Sequence, residues 1–145
     1  MARYKIAWLP GDGIGVDVLE AARIVLEKIR LDAQYLPGDI GWDFWCQEGD
    51  ALPPRTVELL RNVDAAMFGA ITSKPVKAAG AELAPALRDR GLTYRSPIVR
   101  MRQMFDLYIC LRPCKGYPGN ALNFKEGIDL VVFRENTEDI YAGIE

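Results

Sequence analysis

The segment Tyr4-Lys5-Ile6-Ala7-Trp8-Leu9-Pro10-Gly11-Asp12-Gly13-Ile14-Gly15 decides how the first half of the chain folds. Its opening residues are mostly apolar and predict a buried strand, and the glycine-rich run Pro10–Gly15 predicts a tight turn. Apolar residues then recur at helical spacing between Val18 and Ile29, which predicts an amphipathic helix. A strand, a turn and a helix in this order are typical of the start of an α/β fold.

The glycine turn is close to the dinucleotide-binding fingerprint G-x-G-x-x-G but differs from it in spacing. Gly15 comes one residue early, and Val16 occupies the sixth position. Asp32 lies at a plausible distance along the chain for a ribose partner, although one acid in a charged segment is weak support. We interpret the turn as the lining of a cleft, and a pyrophosphate site is the alternative.

The following segments extend the α/β pattern. Further strands are predicted at Ala33–Leu36 and Val63–Ala70, with a helix that opens at Leu52-Pro53-Pro54 between them. The apolar cluster Trp42–Cys46 predicts core packing, and Gly80–Gly91 predicts a charged surface segment. The β-α-β-α-β order implies a parallel sheet covered by helices. Because ligands bind at the carboxyl ends of such strands, the loop 71–77 and the glycine turn are expected to face one crevice.

The composition excludes several classes of function. Half of the 145 residues are apolar, 26% are charged and the net charge is −2, so we expect no general attraction to nucleic acid or anionic lipid. No apolar run approaches the length of a membrane span. The chain has three cysteines, an odd number that fits a reducing compartment, and we expect a cytoplasmic protein.

Three arginines are placed near the predicted ends of secondary-structure elements. Ser96-Pro97 predicts the start of a helix that carries Arg102. Arg112 precedes Pro113, where the next strand is expected to end, and Arg134 follows the last apolar strand pattern. A guanidinium presents paired donors to a carboxylate, so the three are candidates for binding a substrate with more than one carboxylate. The alternative is that each is a solvated surface residue.

Tyr141 follows Arg134 after a polar loop and is a candidate for proton transfer in a desolvated site. The chain has no histidine, so any general acid or base must be Tyr, Lys, Asp, Glu or Cys. The lack of histidine also disfavours a closed zinc site at Cys110 and Cys114. The alternative for the Tyr141 region is a surface turn with an ordinary aromatic side chain.

Several motifs, taken in order, resemble the β-decarboxylating dehydrogenases: isocitrate, isopropylmalate, homoisocitrate and tartrate dehydrogenases. The motifs are Leu9–Gly15, Gly69–Thr72, Arg102, Asp106–Pro113 and the stretch from Arg134 to Glu145. The resemblance covers essentially the whole chain, and the amino-acid sequences of the motifs are most similar to those of isocitrate dehydrogenase. It implies an α/β fold of the isopropylmalate-dehydrogenase type, with a parallel or mixed sheet flanked by helices, incomplete in this chain.

The resemblance also implies an activity. Its members are oxidoreductases that use NAD or NADP, with Mg²⁺ or Mn²⁺, to oxidise and decarboxylate a 2-hydroxy di- or tricarboxylate. Isocitrate, which gives 2-oxoglutarate, is the expected substrate, and homoisocitrate, isopropylmalate or tartrate are the alternatives. The expected partner is this small hydroxy acid, with no nucleic acid or membrane, in a homodimer of the full-length protein.

Five positions match the family's residues for substrate binding and proton transfer. Arg102, Arg112 and Arg134 match its three carboxylate-binding arginines. Ser96 matches the Ser of the isocitrate branch that contacts the distal carboxylate, and Tyr141 matches the Tyr that protonates the enol. The resemblance therefore implies that Tyr141 is catalytic and that the other four residues bind substrate.

Thr72 and Ser73 match the loop near the nicotinamide end of the cofactor, so the resemblance implies cofactor binding there. Two features differ from the isocitrate pattern. Ile98 stands where that branch has Asn two residues after the Ser, and the segment Lys77–Leu92 is longer than usual. The Ile98 side chain cannot hydrogen-bond a carboxylate. Both this substitution and the longer segment are compatible with a substrate other than isocitrate.

Family members are much longer than this chain. The resemblance places their catalytic Lys, metal-binding aspartates and adenosine-binding loop beyond Glu145, so no metal ligand is expected in this chain. We expect residues 1–103 to be the first part of the first domain and 104–145 the opening strands of the second, which carries substrate-binding and dimerisation surfaces. The chain alone is expected to be inactive, with an open apolar edge that favours aggregation. The alternative is a non-catalytic fragment that binds only carboxylates or a complementary partner.

Overall fold

The computed structural model describes residues 2–138, and the chain divides into two compact units, Met1–Pro97 and Ile98–Glu145. The sequence prediction of a boundary between residues 103 and 104 refers to the domains of the family, and it stays a prediction. Within residues 2–138, no helix is long and apolar enough to cross a membrane.

The first unit contains a parallel sheet and the helices that connect its strands. The elements are β1 (Tyr4–Gly11), α1 (Ile14–Lys28), β2 (Ala33–Pro37), α2 (Trp42–Glu48), α3 (Pro54–Arg61), β3 (Ala65–Ala70) and α4 (Val76–Ala81), followed by a 3-10 helix (Pro85–Arg90). The strand order is β2-β1-β3, with both pairs parallel. Because β1 is central, its residues Ala7 and Leu9 are fully buried. The predicted α/β fold with a parallel sheet flanked by helices is confirmed.

Helix α1 buries only one of its two apolar stripes. Leu19 is buried and Leu26 is half-buried, whereas Val18, Val25 and Ile29 are 50%, 60% and 63% exposed. The predicted amphipathic helix is present, and Val18 and Val25 lie outside its buried stripe. Neighbouring residues of a helix point about 100° apart, so Val18 points away from the direction that Leu19 faces.

The tryptophans that follow β2 form an aromatic core with a residue from much later in the chain. Trp42 and Trp45 pack edge-on against Tyr94, with ring centroids 5.1 and 5.4 Å apart respectively. Ala79 and Leu83 belong to the same buried cluster. The prediction of core packing at Trp42–Cys46 is confirmed. The prediction that Gly80–Gly91 is a surface segment is wrong at Leu83, which is 2% exposed.

The second unit contains a β-hairpin preceded by a short helix. Helix α5 (Pro97–Met104) begins at the last residue of the first unit, and the hairpin pairs β4 (Ile109–Lys115) with β5 (Asp129–Glu135) in antiparallel register. Arg112 lies opposite Val132, and Arg134 lies opposite Cys110. Arg112 is in the middle of β4, so the prediction that it lies where a strand meets a loop is wrong. Arg134 is the next-to-last residue of β5, near the strand end as predicted.

Strand β4 continues through Pro113, which the sequence analysis took as its end. Asn136 N–H donates to Tyr108 O and Gly116 N–H donates to Ile128 O, each at 2.8 Å, at the two ends of the hairpin. In an antiparallel pair, hydrogen-bonded positions alternate along each strand. Tyr108 and Gly116 occupy hydrogen-bonded positions, and Pro113 is an odd number of residues away from each of them. Pro113 therefore occupies a non-hydrogen-bonded position, where its missing N–H removes no bond from the ladder.

Candidate functional site

The loop after β3 carries Thr72 and Ser73, the two residues expected to contact a cofactor. It begins at the carboxyl end of a parallel strand, which is where α/β sheets bind ligands. Thr72 is half-buried and Ser73 is exposed, so both side chains belong to a surface that a ligand can reach. The conformation of the loop is fixed by hydrogen bonds from three parts of the first unit.

The first of these anchors is the side chain of Asp12, from the glycine turn after β1. Asp12 is 7% exposed. Its Oδ1 accepts from Thr72 N–H at 2.8 Å and from Thr72 Oγ–H at 2.5 Å, and its Oδ2 accepts from Trp42 N–H at 2.5 Å. Asp12 N–H also donates to Ala70 O at 3.0 Å. The glycine turn and the loop after β3 therefore lie together, as the sequence predicts.

The second anchor is Tyr94. Its hydroxyl lies 3.3 Å from Ser73 Oγ and donates to Thr72 O at 3.4 Å. Tyr94 is 8% exposed because its ring packs on the two tryptophans of α2. The aromatic core therefore supports the loop directly.

The third anchor is an ion pair at the next residue of the loop. Lys74 Nζ lies 2.5 Å from Glu82 Oε1 and 5.1 Å from the centroid of the Trp42 ring. Trp42 Nε1–H donates to Glu82 Oε2 at 2.8 Å. The hydrogen bond from Lys74, followed by that from Trp42, lowers the pKa of Glu82 from its ordinary value. The carboxylate therefore stays ionised and keeps both contacts at neutral pH.

The glycines of this region allow main chains to approach each other closely. A Cβ added at Gly15 would lie 2.3 Å from Pro10 O and 2.4 Å from Ala70 O, and one added at Gly69 would lie 2.3 Å from Pro10 O. At Gly11 it would lie 1.9 Å from Ala70 O. These glycines therefore pack β1, the start of α1 and β3 against one another. That packing accounts for the glycine-rich turn without a bound pyrophosphate, which supports the cleft-lining interpretation.

In the second unit, the hairpin brings Arg112 and Arg134 to the same face. Arg134 is directly opposite Cys110, and Arg112 is two residues further along β4, so the register makes the two arginines diagonal neighbours. A hydrogen bond from Arg112 Nε–H to Cys110 Sγ at 3.3 Å is consistent with this arrangement. Both arginine residues are exposed. Two arginines on one face of a hairpin present paired donors that suit an anion with more than one carboxylate.

Two further residues that are predicted to bind substrate, Arg102 and Ser96, lie on or beside α5. Arg102 is half-buried on the helix, and its backbone oxygen accepts from Leu107 N–H at 2.9 Å. Ser96 is half-buried and directly precedes the helix. Tyr141 lies outside the described residues. Joint substrate binding by Ser96 and the three arginines therefore stays a prediction.

Two polar residues near the predicted site were missed by the sequence analysis. Asp12 reads as an ordinary turn residue, because its partners are 30 and 60 positions away in the sequence. Asn136 is 6% exposed, and its Oδ1 has no hydrogen-bond partner within the part of the chain that the structure describes. No spacing in the sequence indicated a buried amide at this position, two residues after Arg134.

Residues 2–138 contain no group of three or more His, Cys, Asp or Glu side chains arranged to hold a metal ion. Those residues alone therefore do not form a divalent-cation centre of the kind that the resemblance implies. Residues that could contact a nicotinamide cofactor are present, because the hydroxyls of Thr72 and Ser73 are reachable at a strand end.

These features define an α/β protein whose first unit has a hydrogen-bonded polar loop at the carboxyl end of β3 and whose second unit carries two arginines on one face of a hairpin. The sequence profile described as isocitrate/isopropylmalate dehydrogenase matches residues 5–145, so the chain belongs to that family. The resemblance drawn from the motifs is thereby confirmed. Membership makes this chain part of a decarboxylating-dehydrogenase family.

Individual relatives agree with this assignment. Protein DlpA of Legionella pneumophila is 42% identical over 141 residues, covering 97% of this chain and 22% of that protein. The 3-isopropylmalate dehydrogenase of Methanothermobacter thermautotrophicus is 39% identical, covering 100% of this chain and 38% of that enzyme. The crystal structure of isocitrate dehydrogenase from Methylococcus capsulatus matches with a TM-score of 0.77 at 33% identity, covering 97% of this chain and 37% of that one. The chain spans well under half the length of each of these proteins.

Proposed function

We propose that the protein containing this chain catalyses the oxidative decarboxylation of a 2-hydroxy di- or tricarboxylate, with NAD or NADP and a divalent metal ion. The observation that carries the proposal is the position of Arg112 and Arg134 on one face of the hairpin, because the motif resemblance implies that both bind substrate carboxylates. Paired guanidinium groups suit a substrate with more than one carboxylate.

The residues of this chain would have three roles. Arg102, Arg112 and Arg134 bind the carboxylates of the substrate and fix its orientation. Tyr141 delivers a proton to the enol that remains after carbon dioxide leaves. Thr72 and Ser73 would hold the nicotinamide end of the cofactor, which would supply the hydride acceptor, and a metal ion would supply Lewis-acid polarisation of the substrate hydroxyl.

Isocitrate is the proposed substrate, because the amino-acid sequences of the motifs are most similar to those of isocitrate dehydrogenase. Homoisocitrate, isopropylmalate and tartrate are the alternatives, because Ile98 presents an apolar side chain two residues after Ser96. A screen of the full-length protein over these four acids, with Mg²⁺ or Mn²⁺ and each cofactor, distinguishes them by the formation of reduced nicotinamide. Absence of turnover with all four would refute the proposal. Residues 1–145 assayed alone are expected to give no turnover.

The role of the arginine pair is tested by Arg112→Lys in the full-length protein. Lys keeps the charge but loses the paired donors, and hydrogen bonds to charged groups contribute about 1.5–3 kcal/mol. We therefore expect KM for the hydroxy acid to rise roughly 10- to 100-fold, with KM for the cofactor unchanged.

The matched control is Lys115→Ala on the same strand. Lys115 is exposed and lies 3.4 Å from Asp129, and strand alternation places it on the opposite face from Arg112. Its removal is expected to leave both KM values unchanged. An equal rise in KM for the two variants, or none for Arg112→Lys, would contradict substrate binding at this face.

A further inference from the structure

The hydrogen bonds around Thr72 fix the direction of its hydroxyl proton. A carboxylate can only accept hydrogen bonds, and both oxygens of Asp12 are engaged by N–H groups, from Trp42 and Thr72. Thr72 Oγ therefore donates its single proton to Asp12 Oδ1, at 2.5 Å. Only the lone pairs of Thr72 Oγ remain for a ligand.

The Ser73 hydroxyl lies 3.3 Å from the Tyr94 hydroxyl, and either oxygen can be the donor in that contact. The direction that the contacts fix in this loop is therefore that of Thr72, which turns its proton towards Asp12. Its remaining lone pairs suit a ligand group that donates hydrogen bonds and disfavour a carboxylate or phosphate oxygen.

Asp12 cannot be replaced by a neutral amide without breaking this arrangement. An Asn at this position presents one oxygen and one NH₂ group, but donors approach from two sides, at Trp42 N–H and at Thr72. The NH₂ group of the Asn would then face the N–H of either Trp42 or Thr72, so two hydrogen-bond donors would meet. The alternative rotamer of the amide only exchanges which side loses its acceptor.

We infer that Asp12 is a positioning residue that holds the Thr72 hydroxyl as a hydrogen-bond acceptor, and that Thr72 thereby selects a donor group, such as the carboxamide N–H of a nicotinamide ring. This inference rests on the proposed function for the identity of the ligand. It does not rest on it for the orientation of Thr72, which follows from the contacts of Asp12 within the first unit.

Ligand selection is tested by equilibrium binding to the full-length protein, measured by calorimetry. The two probes are the oxidised nicotinamide cofactor and its 3-acetylpyridine analogue, whose acetyl group has no N–H to donate. A hydrogen bond of ordinary strength predicts that the parent binds the natural cofactor about three- to tenfold more tightly. Thr72→Ser keeps the hydroxyl and is expected to keep this ratio. Thr72→Val and Asp12→Asn are expected to bring the ratio close to one.

The positioning role is tested without ligand, by amide hydrogen exchange in the same protein. Asp12→Asn is expected to speed exchange of the Thr72 amide or, in the alternative rotamer, of the Trp42 amide about tenfold or more, because one of the two loses its hydrogen bond to a charged acceptor. The control, Asp17→Asn in the first turn of α1, removes a neighbouring exposed acid and is expected to leave both exchange rates unchanged.

The outcomes separate the two claims. A binding ratio near one in the parent, or a ratio that Asp12→Asn or Thr72→Val leaves unchanged, overturns the selection. A parent that binds neither probe overturns the proposed function, and the exchange rates of the Thr72 and Trp42 amides then decide the role of Asp12 by themselves. Unchanged exchange of both amides in Asp12→Asn overturns that role. If Asp12→Asn does not fold, the comparison of Thr72→Ser with Thr72→Val decides the inference.

Discussion

At the scale of single residues, the Asp12 carboxylate connects three separate segments of the first unit. It joins the glycine turn after β1, the first residue of α2 and the loop after β3 through hydrogen bonds of 2.5 to 2.8 Å. A carboxylate that is 7% exposed tolerates burial only with such donors around it. The space for this group is provided by Gly41, the residue before α2.

We predict that Gly41→Ala disrupts the contacts of Asp12. A Cβ on Gly41 would lie 2.5 Å from Asp12 Oδ2, and the φ angle of 117° is one that L side chains rarely adopt. Backbone strain alone costs about 1–3 kcal/mol, and the contact adds to it. The measurement is the free energy of unfolding of the full-length protein in urea.

The control is Gly91→Ala, at a residue with a φ angle of 66° and no atom within 4 Å of an added Cβ. It tests the backbone effect without the contact, so it should cost less than Gly41→Ala. Equal losses for the two variants would mean that the contact with Asp12 is unimportant.

The sequence allows some of these residues to be predicted and not others. Thr72 and Ser73 follow a predicted strand, so their place at the sheet edge follows from the βα pattern. Asp12 and Tyr94 act through partners distant in the chain, and a single sequence holds no sign of such pairings. The directions of their hydrogen bonds become visible only when the folded backbone brings the donors together.

At the scale of elements, local pattern predicted the strands well and the short helices poorly. β1, β2 and β3 are apolar runs bounded by turn residues, so their existence follows from composition. Helix α2 has seven residues, five of which lie in the apolar cluster predicted only as core. It depends on tertiary packing, which periodicity over two turns does not show. For β4, hydrogen-bond register decides that Pro113 is tolerated, and register is a property of the strand pair.

The turn that follows β5 leads to a pH prediction. Glu135 accepts from Thr137 N–H at 2.7 Å, from Thr137 Oγ–H at 2.6 Å and from Glu138 N–H at 2.8 Å. The side-chain bond from Thr137, followed by the backbone bond from Glu138, lowers the pKa of Glu135 from 4.5 to about 2. A lowered pKa means that the ionised form stabilises the fold above pH 4.5, and that this contribution is lost as the pH falls from 4.5 towards 2.

We expect the side-chain carboxyl signal of Glu135 to titrate near pH 2 in an NMR experiment on the full-length protein, and the amides of Thr137 and Glu138 to lose protection over the same range. The side chain of Gln does not titrate in this range. In Glu135→Gln, the Thr137 and Glu138 amides are therefore expected to show no loss of protection that follows a titration of residue 135. A carboxyl that titrates near 4.5 in the parent would show that the turn does not form in solution.

At the scale of the whole molecule, the chain exposes apolar surface that its own residues do not cover. Val18 and Val25 on α1 are 50% and 60% exposed, and Phe133 on β5 is 69% exposed. On β5, Val131 and Val132 point to opposite faces, yet both are exposed. An isolated two-stranded hairpin is marginally stable in water.

We therefore predict that residues 1–145, prepared alone, self-associate. Extended apolar strands with free edges pair with other chains, and Val131 and Phe133 lie on one face of β5. Sedimentation velocity over a range of concentrations should show oligomers, and the double variant Val131→Thr with Phe133→Ser should reduce them. The control is Val76→Thr on α4, which removes an equally exposed apolar side chain away from the hairpin. A monomeric parent, or an equal reduction by the control, would mean that the exposed faces of the hairpin do not drive association.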